Sequence, residues 1–167
     1  MYDELTQVDI DKMKEELEHR TRVLRPQLIE EVQTARAFGD LSENFEYKCA
    51  KRDKNRNDSR IRYLERMIKT AKIIEAPQNQ EGINLFDKVT IFNEMTQKEM
   101  HLQIVTTLRQ NVLKGLISRE SPVGKALVGH RPGERVQVVV SPEVKYFVEI
   151  RSVEHGEDDA SLEISAY

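Results

Sequence analysis

The chain has 167 residues, 33% of them charged and 6% aromatic, with no tryptophan and a formal net charge of −3. So much charge beside so little bulk argues against one compact enzyme core. It favours an elongated molecule with a long exposed helical part, built as one ordinary domain or two small ones. The single cysteine, Cys49, excludes an intramolecular disulfide and speaks against a cysteine-based zinc site. His19, His101, His130 and His155 show no metal-ligand spacing. The N-terminus is acidic and polar, unlike a signal peptide, and no segment approaches the roughly 18 apolar residues that span a bilayer. The expectation is a soluble, cytoplasmic protein with no membrane partner.

Between Ile10 and Phe38 there is one proline and no glycine. Apolar or small positions recur at Ile10, Met13, Leu17, Thr21, Leu24, Leu28, Val32 and Ala35. Steps of three and four close to an 11-residue repeat predict a long helix with a nearly straight seam. Pro26 removes one backbone hydrogen bond and predicts a mild bend. Gly39 stops the helix. A second helix is predicted from about Glu43 to Ile74, with Tyr47, Ala50, Lys54, Asn57, Ile61, Leu64, Ile68 and Ala71 as a coiled-coil seam. Two helices joined by so few residues form an antiparallel hairpin, each arm roughly 40–45 Å long. No apolar residue occurs from Lys51 to Ser59, so the tip half is expected to face solvent or a polar partner.

The polar segment Ala76-Pro77-Gln78-Asn79-Gln80-Glu81-Gly82 marks the domain boundary. The organisation read from this is a helical hairpin over 1–76 with its acidic tip at 39–47, a linker at 77–83 and a second domain over 84–167. Strands are predicted at Val89–Phe92, Leu102–Val105, Val136–Val140 and Tyr146–Ile150. A short helix is predicted over 121–129, capped by Ser121, opened by Pro122 and ended by Gly129. The fold class is α+β, a coiled-coil hairpin followed by an antiparallel sheet with one short helix. The acidic stretch from His155 to Tyr167 is read as a frayed tail.

Charge is unevenly distributed. From Lys48 to Lys72 there are ten bases (Lys48, Lys51, Arg52, Lys54, Arg56, Arg60, Arg62, Arg66, Lys69 and Lys72) and three acids (Asp53, Asp58 and Glu65). The segment is +7, which leaves −10 for the remainder. A solvated face with paired charges is the bland account, but the acids are too few to pair with the bases. A surface facing a polyanion, most simply a nucleic-acid backbone, accounts for the excess. No aromatic residue interleaves the bases between Lys48 and Ile61, so the run neutralises phosphates without reading bases. At the turn, Asp40 and Glu43 stand three apart in Gly39-Asp40-Leu41-Ser42-Glu43-Asn44-Phe45-Glu46-Tyr47. This spacing fits a capping box at the start of the second helix. It also fits a pair of hard oxygen donors for Mg²⁺, although two carboxylates need ligands from elsewhere to hold the ion.

The tip sequence resembles that of the Gre transcript cleavage factors. Ser121-Pro122-Val123-Gly124-Lys125-Ala126-Leu127-Val128-Gly129, followed by Gly133 and Val136, resembles the motif of their FKBP-like C-terminal domain. The resemblance covers nearly the whole chain in the right order. It implies a monomeric factor whose C-terminal domain docks on bacterial RNA polymerase, with Ser121, Pro122, Val123 and Gly124 as docking residues. The hairpin would then enter the polymerase secondary channel. There Asp40 and Glu43 would be the catalytic acids that help position Mg²⁺ and the attacking water, supported by Ser42, Asn44 and Tyr47. The basic face (Lys48, Lys51, Arg52, Lys54, Arg56 and Arg60) would lie along the extruded 3′ end of backtracked nascent RNA. The chain would stimulate an activity of the polymerase and be no nuclease alone. Phe45 stands where the family commonly has a small residue. The long basic run is more like the GreB type, and the tip and C-terminal motif are more like the GreA type. Two other readings remain open: a non-cleaving homologue that occupies the channel, and an autonomous RNA-binding or prolyl isomerase-like protein.

Overall fold

The computed structural model describes residues 3–39, 44–76 and 81–165. The chain divides into two compact units, one of residues 10–71 and one joining residues 3–9 to the chain from Lys72 onward. The expected boundary at 76 therefore needs correction at both ends. Strand β1 (Glu4–Leu5) pairs in parallel with β2 (Lys72–Ile73), which places both with the second unit. Ile83, expected in the linker, is fully buried in that unit's core.

Helix α1 (Gln7–His19) begins behind Thr6, whose backbone amide donates to Asp9 Oδ2 at 3.1 Å, three residues on, as at a capped N-terminus. The continuous helix expected to Phe38 is interrupted. Arg20–Leu24 form a π-helical turn, closed by the Arg25 amide donating to the Arg20 carbonyl. Helix α2 (Arg25–Arg36) follows, with Pro26 in its first turn, where a missing N–H costs little. The wider turn thus comes immediately before the proline. Within that turn Thr21 is exposed and Arg20 is half-buried in its stead, while the predicted seam positions on either side, Leu17 and Leu24, are half-buried as expected. Helix α3 (Phe45–Thr70) returns alongside α2, and every position of its predicted seam is buried or half-buried.

The polar middle of the hairpin is not simply left to solvent. Asn57 is buried; its Nδ2 donates to the Arg20 carbonyl at 3.2 Å, and its Oδ1 accepts from Arg20 Nη1 at 3.0 Å. Glu16 accepts from Arg20 Nε at 2.7 Å and from Arg60 Nε and Nη2 at 2.9 and 3.0 Å. Asp58 binds Lys54 at 2.8 Å and Arg25 at 3.1 Å. Reciprocal hydrogen bonds and ion pairs thus close the seam where apolar side chains run out.

The second unit is built on a five-stranded sheet in the order β5-β4-β3-β7-β6, with β3 (Lys88–Asn93), β4 (Lys98–Val105), β5 (Leu116–Ser118), β6 (Arg135–Val139) and β7 (Lys145–Glu154). The four predicted strands are present and pair antiparallel, as β3–β4, β3–β7 and β6–β7. The fifth, β5, was not predicted and runs parallel to β4, so the sheet is mixed. Alternate residues turn inward, among them Val89, Ile91, Ile104, Val136, Val138, Val148 and Ile150, and join Phe86 and Leu127 in one core. The predicted short helix is α4 (Pro122–Leu127), capped by Ser121 Oγ accepting from the Gly124 amide at 3.0 Å.

The C-terminal segment is docked, not frayed. Gly156 N donates to Asp87 Oδ1 at 3.1 Å, and Ser165 N and Oγ both donate to the Leu108 carbonyl at 2.7 Å. Asp158 pairs with Arg109 at 2.6 Å, and Leu162 packs on the core. Among the described residues, no helix is long and apolar enough to cross a membrane.

Candidate functional site

The hairpin turn is organised by one side chain. Asn44 caps α3, its Oδ1 accepting from the Tyr47 amide at 3.0 Å, while its Nδ2 donates to the Ala35 carbonyl at 2.7 Å. It thereby satisfies a free amide at the start of α3 and adds a second donor to a carbonyl near the end of α2 that also accepts from the Phe38 amide, tying the two arms together beside the tip. The Asp-x-x-Glu spacing offered a capping box, but Asn44 holds the cap. Asp40, Ser42 and Glu43 lie outside the described residues. Tyr47 is half-buried in the seam, and the two phenylalanines flanking the tip, Phe38 and Phe45, are 73% and 76% exposed.

The basic residues of α3 separate into two sets. Lys48, Lys51, Arg52 and Arg56 are exposed. Lys48, Lys51 and Arg56 have no acidic partner among the described residues, and Arg52 leans on its neighbour Asp53 at 3.3 Å. Lys54 and Arg60 were expected on the same face; Lys54 lies in the seam, where the periodicity also put it, and Arg60 is buried beside it instead of exposed. Lys54 is held by Asp58, and Arg60, 6% exposed, is held by Glu16. Burial pushes the Glu16 carboxyl up, but hydrogen bonds from Arg60 and Arg20 outweigh it and hold the group below its ordinary value of 4.5. On the other side of the hairpin, Glu30 and Glu31 of α2 and Glu46 of α3 line a groove of about 390 Å³ with Phe38 and Ala50. The arm end is thus basic along one side and acidic along another.

In the sheet unit, Ser121 and Gly124 have duties within the fold. Ser121 caps α4 and its hydroxyl also donates to the Ser118 carbonyl at 2.7 Å, and a Cβ on Gly124 would overlap that carbonyl. Val123 packs against the core and Pro122 is exposed. Among the described residues no cluster of His, Cys, Asp or Glu is arranged to hold a metal. The largest polar node that sequence reasoning missed lies at Arg109, which is fully buried against the Phe86 ring and bonded to Asp9 Oδ1 at 2.5 Å, Thr6 Oγ1 at 3.2 Å, the Asp159 carbonyl and Asp158. Its partners lie about 50 and 100 positions away, so no local pattern announces it.

The family model of the transcription elongation factor N-terminal domain matches residues 4–73, and that of the GreA/GreB C-terminal domain matches residues 78–155. The chain belongs to the GreA/GreB family of transcription elongation factors. Transcription elongation factor GreA of Mesoplasma florum is 41% identical over 152 residues, covering 89% of this chain and 96% of that protein. GreA of Staphylococcus saprophyticus is 38% identical, covering 80% and 85% respectively. The crystal structure of GreA factor homolog 1 of Thermus thermophilus aligns with 93% of this chain and all of its own at 26% identity, with a TM-score of 0.43. In this Gre factor the first family match takes in the hairpin together with β1 and β2, and the docked segment after His155 lies beyond the second.

Proposed function

We propose that this Gre factor binds bacterial RNA polymerase, enters its secondary channel with the hairpin, and stimulates cleavage of the 3′ end of backtracked nascent RNA so that arrested complexes resume elongation. The observation that carries the reading is the turn: Asn44, the residue that follows Glu43 in the sequence, ties α2 to α3 at the end of a hairpin arm whose exposed bases suit RNA phosphates. The sheet unit docks on the polymerase around Ser121–Gly124, with Pro122 the exposed member. Lys48, Lys51, Arg52 and Arg56 neutralise the extruded strand.

Asp40 and Glu43 are hard oxygen donors of the kind Mg²⁺ prefers, and too few to retain it, so the polymerase supplies the remaining ligands. When bound there, the ion stabilises charge on the phosphodiester under attack. The work of this chain is to present the two carboxylates and orient water; the cleaving activity belongs to the polymerase. The test is a cleavage assay on stalled, backtracked complexes with labelled RNA. Wild type is expected to yield shortened, re-extendable transcripts, and Asp40→Ala/Glu43→Ala to bind without cleaving. Equal cleavage by the double variant would remove the tip acids from the mechanism. Binding without cleavage by wild type would assign the chain instead to channel occupants that do not cleave.

A further inference from the structure

Phe45 is an exposed aromatic residue at the start of the second arm. Phe45 is the first residue of α3 and 76% exposed, although capping is done by Asn44 and seam packing by Tyr47. Nothing in the hairpin requires an aromatic ring there. Lys48, Arg52 and Arg56 follow at steps of three, four and four, so ring and cations lie on one helix face. With about 1.5 Å of rise per residue, the cations succeed one another at intervals of about 6 Å along the arm. Of the nearby acids, Glu30, Glu31 and Glu46 gather on another side of the hairpin, and Asp53 lies against Arg52 at 3.3 Å. An exposed aromatic ring followed by a line of cations is the arrangement that takes single-stranded nucleic acid, with bases stacking on rings and phosphates meeting charges.

We infer that Phe45 is a stacking platform for a nucleobase of the extruded RNA, whose phosphates then run along Lys48, Arg52 and Arg56. The inference rests on the proposed function and adds a specificity to it. Purines stack more strongly than pyrimidines, so the factor prefers complexes whose extruded nucleotides are purines. Phe45 acts by holding the strand; it takes no part in bond breaking.

The experiment measures binding and cleavage separately, on backtracked complexes with purine or pyrimidine extruded segments and on complexes with no extruded RNA. Phe45→Ala, Phe45→Tyr and Phe38→Ala are compared with wild type. Phe45→Ala is expected to weaken binding to purine complexes by roughly fivefold or more, the lower end of what a base–aromatic stack contributes. It should flatten the purine preference and leave complexes without extruded RNA unchanged. Phe45→Tyr should behave as wild type, because the ring is kept. Unchanged binding by Phe45→Ala overturns the inference. So does an equal loss on all three complexes, which would make the ring a contact with the polymerase wall. Wild type that binds but does not cleave defeats the proposed function alone, since the binding comparison still decides the role of Phe45. Wild type that binds no complex defeats both.

Discussion

Arg109 illustrates what a single residue contributes when its charge has no access to water. Its guanidinium meets Asp9 from the N-terminal segment and Asp158 from the C-terminal one, and lies over the Phe86 ring. Removing one partner of a buried ion pair leaves the other charge unmet, at a cost of about 3–5 kcal/mol. Arg109→Met should therefore lower the unfolding free energy by about that much in urea titrations, and Asp9→Asn in the same chain should restore part of it. A loss within the ~0.5 kcal/mol typical of a surface substitution would show that the node carries no such weight. Gly124→Ala tests a smaller effect. The new methyl meets the backbone of Ser118, which cannot rotate away, and a penalty of about 1–3 kcal/mol is expected by the same titration. These residues differ in how far the sequence discloses them. The tip acids and Ser121 sit in short local patterns whose physical logic involves neighbours three positions away. Arg109 finds its partners through tertiary folding, and its position in the chain carries no mark of it.

At the scale of the element, seam periodicity disclosed the two arms of the hairpin but not the π-helical turn between α1 and α2. A pattern of steps cannot report that one extra residue enters a turn; the Arg25 amide bonded to the Arg20 carbonyl and the burial of Arg20 in place of Thr21 do. The same limit applied to the basic run. A count of charges on α3 cannot tell Arg56, exposed and unpaired among the described residues, from Arg60, which Glu16 of the other arm holds. The two sets should separate experimentally. Replacing Arg52 and Arg56 with Ala should leave thermal stability nearly unchanged. It should also make binding to backtracked complexes less salt-dependent, by a slope of roughly 0.7 per lost phosphate contact on a single strand. Replacing Arg60 should instead destabilise the hairpin, and a loss of RNA affinity at unchanged stability would return Arg60 to the basic face. The Glu16 pairing also sets a pH dependence. Because its carboxyl is held below 4.5 in the folded chain, its contribution is fully present above that value and fades as pH falls through the depressed one. Glu16→Gln should remove this part of the acid destabilisation of the hairpin. Melting curves of the two proteins that fall in parallel below pH 4.5 would count against it.

At the scale of the whole molecule, the linear order of the sequence and the order of the fold part company at both ends. Strand alternation made the antiparallel core of the sheet legible. Three short pieces were not: β1 and β2 have two residues each and β5 has three, too few to show a period. β1 and β2 pair in parallel with each other across the whole length of the hairpin, which is why the N-terminal residues 3–9 belong with the unit that resumes at Lys72. The C-terminal segment was unreadable for a related reason. Its composition is that of a solvated acidic tail, and its attachment depends on donors presented by Arg109, on the Leu108 carbonyl and on Asp87. Deleting residues 156–167 removes the Asp158 pair, the Asp159 carbonyl, both Ser165 bonds and the Gly156 bond. At about 0.5–1.5 kcal/mol for each net hydrogen bond, less the entropy of ordering the segment, the sheet unit should lose about 2 kcal/mol or more. Hydrogen exchange gives the discriminating readout. Amides of β1 and of the Thr106–Arg109 turn should exchange faster in the truncated chain, because Arg109 links them to the missing segment. Amides in the middle of α3 should be unaffected, since their partners lie within the hairpin. Unchanged exchange in the turn would mean that Asp9 and Thr6 suffice to hold Arg109, and that the acidic segment adds charge but no structure.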